Sequence, residues 1–272
     1  MFLFVFIRAY SCFFSRERIV MPFAIIQNQK MYYAQQGENG IPIIFVHGSG
    51  ANHLVWGTQM RVLGEIARCV SVDLPGHGKS DLPGCDSVHA YSDVILGLMD
   101  TLEFHRAVIV GHSLGGAIAQ TFALSHSERV AGLGLIGTGA KLRVNPLVLD
   151  GILNNFETTV RFIIENTYVQ PMNESLRKLA EEQLRLCPGA VTHGDFVACN
   201  SFDVMHRLAE ITQPTLIVCG KRDLMAPPKF SEYLHTHIPG SRLLLLDHAG
   251  HSVTIEQADA VNQALVDFMR ML

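Results

Sequence analysis

Three residues far apart in the sequence could together carry out nucleophilic catalysis. The first is Ser113, in Gly111-His112-Ser113-Leu114-Gly115-Gly116, which fits the pattern G-x-S-x-G. An apolar run (108–110) leads into it and an apolar, alanine-containing helical run (114–124) leaves it. In such a strand–turn–helix setting a serine is held on a strained turn with its hydroxyl exposed. Gly111 and Gly115 let strand and helix pass where a Cβ would clash. A serine hydroxyl is a poor nucleophile at neutral pH and needs a base, which itself must be oriented. Asp223, in Gly220-Lys221-Arg222-Asp223, and His251, in Asp247-His248-Ala249-Gly250-His251-Ser252, each follow a β-rich run. The chain order Ser, Asp, His is the one expected on a scaffold of this kind.

The elements that must hold these residues alternate between short β-rich runs and longer helical stretches. Strands are predicted over 23–29, 31–36, 43–47, 69–73, 107–110, 133–136, 215–219 and 242–246. Helices are predicted over 55–67, 88–102, 114–125, 228–236 and 255–271. This is the pattern of a parallel sheet covered by helices, with the loops beyond the strands' carboxyl ends gathered on one edge where sites form. Ser113, Asp223 and His251 all fall in such loops. Between 141 and 211 the periodicity is helical throughout, with helices expected over 147–166, 173–186 and 193–200. Pro171 and Pro188-Gly189 are expected to separate them. A helical insertion between two core strands reads as a cap.

Composition removes other classes. The chain has 272 residues, 48% apolar and 17% charged, with a formal net charge of −4, and no run of lysine or arginine. It has enough apolar surface for a large core, and it lacks the basic stripe that nucleic-acid binding demands. The six cysteines (Cys12, Cys69, Cys85, Cys187, Cys199, Cys219) are scattered, with no C-x-x-C, which fits free thiols in a reducing compartment, the cytoplasm, rather than disulfides or zinc. Residues 1–20 hold five of the fifteen phenylalanines. Their apolar run lacks the charge order of a secretory signal and falls short of the roughly 20 residues of a spanning helix. They read as an extension outside the fold, with Met21 as the natural start, and no stable membrane insertion is expected.

With these signals in place, the chain from about Phe23 to Leu272 resembles the serine-type α/β-hydrolase superfamily, in its esterase- and lactonase-like branch. The resemblance rests on His47-Gly48-Ser49-Gly50, on Asp73-Leu74-Pro75-Gly76-His77-Gly78-Lys79-Ser80, on the turn at Ser113, and on the Asp223 and His251 loops. It implies an α/β fold with a mostly parallel eight-stranded sheet, helices on both faces and an inserted helical cap. The core would be 21–140 with 212–272, and the cap 141–211. It also implies that Ser113 attacks an acyl carbon, that His251 takes and returns the proton, and that Asp223 fixes the imidazole. The backbone N–H groups of Ser49 and Leu114 would form the oxyanion hole, with no cofactor and no metal. A small-molecule carboxylic ester, small to medium in its acyl part, a lactone or a monoacylglycerol, is the implied substrate. Carbon–carbon hydrolysis of a ring-cleavage diketone is the alternative, followed by cofactor-free perhydrolysis and by a ligand receptor with slight turnover.

Other residues read as structure. Asp73 belongs to a turn, His112 packs beside the nucleophile, and the lone Trp56 fits the core as well as it fits a substrate contact. The glycines at 76 and 78 lack the spacing of a phosphate loop. Leu147, Val148, Leu149, Ile152, Leu153, Phe156, Phe162 and Ile163 are the expected apolar walls of an acyl pocket.

Overall fold

The computed structural model describes residues 23–272; the expectations for 1–20 lie outside the described residues. Eight strands, β1 (Phe23–Ile26), β2 (Gln29–Gln36), β3 (Ile43–Val46), β4 (Cys69–Val72), β5 (Ala107–His112), β6 (Val130–Ile136), β7 (Thr215–Gly220) and β8 (Arg242–Leu246), form one sheet in the order β1-β2-β4-β3-β5-β6-β7-β8. The β1–β2 and β2–β4 pairs are antiparallel and every other pair is parallel. β3 and β4 are buried along their whole length, as apolar runs covered on both faces must be. Successive side chains divide between the faces: Val46 and Ile109 pack with Leu98 and Ile118, while Phe45 and Val110 pack with Trp56 and Leu63.

The helices around the sheet are α1 (Gly57–Leu63), α2 (Val88–Thr101), α3 (Leu114–Ser125), α8 (Pro228–His237), α9 (Val253–Glu256) and α10 (Ala258–Met269). Between β6 and β7 lie α4 (Pro146–Asn154), α5 (Phe156–Thr167), α6 (Glu174–Arg185) and α7 (Gly189–Ser201), which form the cap with an apolar centre of their own. The cap's base is closed by an antiparallel bridge and an ion pair between Lys141 and Asp203, and by the Val204 N–H donating to the Ala140 carbonyl. Among the described residues no helix is long and apolar enough to cross a membrane.

Four elements depart from the periodicity. The helix expected over 147–166 is two helices divided at Asn155, whose φ of −151° is not helical. The break lets α5 fold back on α4 so closely that a Cβ on Gly151 would lie 2.3 Å from Thr159 Oγ1. The C-terminal helix is likewise split at Gln257, and that expected over 55–67 begins as a 3₁₀ turn, His53–Trp56. Pro188 precedes α7 and Gly189 opens it, so this pair starts a helix four residues earlier than expected.

The junction of β3, β5 and α3 is the tightest place in the sheet. A Cβ on Gly111 would lie 2.0 Å from the Gly115 carbonyl oxygen, and one on Gly115 would lie 2.2 Å from that of Val46. These are backbone atoms and cannot swing aside. Gly115→Ala should therefore destabilise the fold by about 3 kcal/mol or more, although Gly→Ala within a helix ordinarily stabilises by about 1 kcal/mol. Urea denaturation checks the sign, and a gain in stability would contradict this packing.

Candidate active site

Ser113 joins β5 to α3 with φ 54° and ψ −116°, a conformation that costs a non-glycine residue on the order of 1–3 kcal/mol. Local bonds hold it there. Its N–H donates to the Ile136 carbonyl (3.0 Å), and its own carbonyl accepts from Thr138 Oγ1 (2.9 Å) and from the Gly116 N–H (2.9 Å). The Leu114 N–H, at the first helical position, has no intrahelical acceptor. On the other side passes the loop after β3, where a Cβ on Gly48 would sit 3.2 Å from Ser113 Cβ. Among the described residues the Ser49 N–H donates to no protein acceptor, while the next one, Gly50 N–H, is bound to Asp195. Two unpaired N–H groups thus flank Ser113.

His251 and Asp223 meet from loops after adjacent parallel strands, β8 and β7. His251 Nδ1–H donates to Asp223 Oδ2 (2.8 Å), and Asp223 Oδ1 accepts from the Met225 and Ala226 N–H groups (both 2.8 Å). Both side chains are buried. With Nδ1 committed as donor, Nε2 is left as the basic nitrogen. The His251 loop is tied down on three sides. The N–H groups of His251 and Ser252 both donate to the Thr167 carbonyl at the end of α5. Glu256 accepts from Gly250 N–H (2.7 Å) and Val169 N–H (2.8 Å), and burial raises its pKa. His112 Nε2–H donates to the His251 carbonyl (2.8 Å).

Ser49, Ser113 and His251 line one cavity of about 340 Å³. Asp223 stands behind His251, and the Leu114 side chain is buried beneath the turn. Of the eight expected wall residues, Val148, Phe162 and Ile163 line the cavity; Leu147 and Leu153 are 77% and 60% exposed, and Leu149, Ile152 and Phe156 pack within the cap. Leu184 from α6 and Phe196 from α7 complete the wall instead. Asp73 is a turn residue, accepting from the N–H groups of His53 and Lys79 and from His53 Nδ1. Trp56 is wholly buried against Phe45.

Sequence reasoning missed two contributors: Glu256, which is partly buried, and Asp195, which is buried. The only available signal for Asp195 is an acid on the buried stripe of α7, between Thr192 and Phe196.

The strained serine turn, the oriented histidine and the facing N–H pair define a serine-type hydrolase. A sequence model of the alpha/beta hydrolase fold matches residues 41–258, and the chain belongs to that family. It is 32% identical over 262 residues to the 2-hydroxy-6-oxononadienedioate/2-hydroxy-6-oxononatrienedioate hydrolase 2 of Pseudomonas putida, covering 89% of this chain and 92% of that one. The enol-lactonase of Burkholderia xenovorans LB400 superposes with a TM-score of 0.87 at 25% identity, over 92% of this chain and all of that one. A thermophilic esterase does so at 0.82 and 30% identity, over 93% and 98%.

Burial, reinforced by His251, lowers the His112 pKa to about 3, and burial with His77 nearby lowers that of His47 to about 4. Both stay neutral in the fold, whereas in the unfolded chain they gain protons below about pH 6.5. The stability that these two histidines contribute is therefore full above that pH and is lost as pH falls from about 6.5 toward 4 and 3. His112→Gln should lose about 1–2 kcal/mol less than the native protein between pH 7 and pH 4.5. Urea midpoints at the two pH values check this; equal losses would contradict it.

Proposed function

We propose that this enzyme hydrolyses carboxylic esters and lactones of small to medium acyl size through an acyl-enzyme on Ser113. His251 Nε2 takes the hydroxyl proton as Ser113 Oγ bonds to the acyl carbon. The carbonyl electron pair moves onto oxygen, where the N–H groups of Ser49 and Leu114 receive it. The pair returns as the C–O bond to the leaving alcohol breaks, and His251 gives the proton to that alcohol. Water, deprotonated by the same nitrogen, then releases the acid and restores Ser113. Asp223 holds the tautomer and stabilises the imidazolium. Each oxyanion donor is typically worth about 10²–10³-fold in rate, because it meets charge that exists only in the transition state. Residues 21–140 and 212–272 serve as the catalytic core and 141–211 as the wall of the acyl pocket. A reducing compartment, the cytoplasm, suits the unpaired thiols of Cys69, Cys85, Cys187, Cys199 and Cys219.

The observation that carries the ester reading is the cavity lining. Its walls are mainly apolar, with Asn52, Asn145, Asn166 and Gln183 among the neutral polar groups, and among the described residues its one formally charged side chain besides histidine is Arg143, which is exposed. A neutral acyl chain suits such a site better than the anionic chain of a ring-cleavage product, whose carboxylate would need a buried partner. The second reading, carbon–carbon hydrolysis of a ring-cleavage diketone, has the stronger support among the curated relatives: hydrolases named for such compounds match at 28–32% identity nearly end to end. In that case the bond from acyl carbon to carbon breaks after the same attack, its electron pair passing to the departing carbon, which takes the proton that His251 accepted from Ser113.

Steady-state rates on p-nitrophenyl butyrate and on 2-hydroxy-6-oxo-6-phenylhexa-2,4-dienoate decide between them. The ester reading predicts a kcat/KM about a hundredfold higher for the ester, equivalent to about 2.7 kcal/mol in the barrier; the reverse order establishes the second. Under either reading Ser113→Ala should cost about 10⁴-fold or more in kcat with the fold intact.

A further inference from the structure

A second buried polar cluster lies where α7 of the cap meets the loops after β3 and β4, and the acyl-transfer steps do not use it. At its centre is Asp195 of α7, wholly buried, as are His77 and Tyr91. Asp195 Oδ2 accepts from Gly50 N–H (2.8 Å) and His77 Nε2–H (2.9 Å), and Oδ1 accepts from Tyr91 O–H (2.6 Å). His77 Nδ1–H donates to the Pro75 carbonyl (2.9 Å). Both ring nitrogens therefore face acceptors, and His77 carries both protons. Burial opposes that charge, but the Asp195 carboxylate outweighs it and holds the His77 pKa well above its ordinary value.

Burying an ion pair costs several kcal/mol per ion, and apolar side chains of equal volume pack as well or better. The pair is therefore a poor explanation of stability alone. What an apolar side chain cannot do is accept the Gly50 N–H. Gly50 sits at φ +65°, and a Cβ there would lie 2.4 Å from Leu184 Cδ1. One residue before it is Ser49, whose N–H has no acceptor among the described residues. Two consecutive N–H groups are thus divided, one bound by the cap carboxylate and one left for the substrate.

We infer that Asp195 is a positioning residue of the oxyanion site: by binding the Gly50 N–H from the cap, it fixes the loop that aims the Ser49 N–H at the reacting carbonyl oxygen. The inference rests on Ser49 being an oxyanion donor. His77 supports it by holding the carboxylate in place, and Tyr91 O–H, which also accepts from Cys85 N–H (3.1 Å), fixes the other oxygen.

The test compares Asp195→Asn with Tyr91→Phe, each measured for kcat and KM on p-nitrophenyl butyrate, for inhibition by a trifluoromethyl ketone, and for folded fraction by circular dichroism. The ketone binds Ser113 as a tetrahedral oxyanion adduct, so its affinity reads the oxyanion site directly. Asparagine keeps the volume but presents one acceptor oxygen to three former donors. For Asp195→Asn, kcat and ketone affinity should fall together by about 10- to 100-fold, part of what a whole donor is worth, while KM stays near native. Tyr91→Phe leaves the Gly50 bond in place and should lower thermal stability with ketone affinity near native. Native kcat and ketone affinity in Asp195→Asn, or equal loss of ketone affinity in both variants, would overturn the inference. Should Asp195→Asn not fold, amide exchange by NMR on the native protein decides. Gly50 N–H must be protected to the level of the core without ligand, and rapid exchange there overturns the inference. Ser49 N–H must gain protection when the ketone binds; if only that fails, the oxyanion role of Ser49 falls, and Asp195 is left with no oxyanion donor to position.

Discussion

The site depends on a backbone conformation that Ser113 does not favour. It persists because β5, α3 and β3 approach within distances that only hydrogen at Gly111 and Gly115 allows. The close approach has a chemical consequence. It brings the loop after β3 alongside the start of α3, so that two N–H groups with no acceptor among the described residues lie on either side of Ser113. Strain here is held by the surrounding packing and hydrogen bonds, and it places the Ser113 side chain where no relaxed turn would.

The cap is commonly thought of as a wall over a pocket, but here it also touches the backbone of both halves of the chemistry. On one side Thr167 accepts from the His251 and Ser252 N–H groups, and Glu256 bridges Val169 to Gly250. On the other, Asp195 accepts from Gly50. The His251 loop and the loop after β3 are therefore referenced to the same helical unit, which itself supplies Val148, Phe162, Leu184 and Phe196 to the cavity. A change in how the cap packs would be felt both by the substrate and by the groups acting on it.

Much of this was legible in the sequence because the signals are local. The central strand runs, such as β3 and β4, are short and rich in apolar residues, and the β8 run at 242–246 matches its strand residue for residue. The turn at Ser113 announces itself through glycines whose only use is close approach, and Asp223 and His251 follow strands whose carboxyl ends share an edge. The rest depends on tertiary contacts. Asn155 is compatible with a helix, and the break there belongs to the tertiary arrangement in which Gly151 of α4 packs on Thr159 of α5. Leu147 and Leu153 have the residue type of a pocket wall, yet they lie on the outer side of a helix whose inner face carries Val148 and Ile152. Asp195 bonds to residues 145, 118 and 104 positions away, and no spacing rule reaches that far.

The central claim is that Ser113, activated by its fold, is the group that becomes acylated or phosphonylated. Labelling the native enzyme with a fluorophosphonate and mapping the adduct by peptide mass spectrometry tests it directly. The account predicts a single adduct on Ser113 that disappears when the protein is unfolded in urea before labelling. An adduct on another residue, or none on the native enzyme, would contradict it.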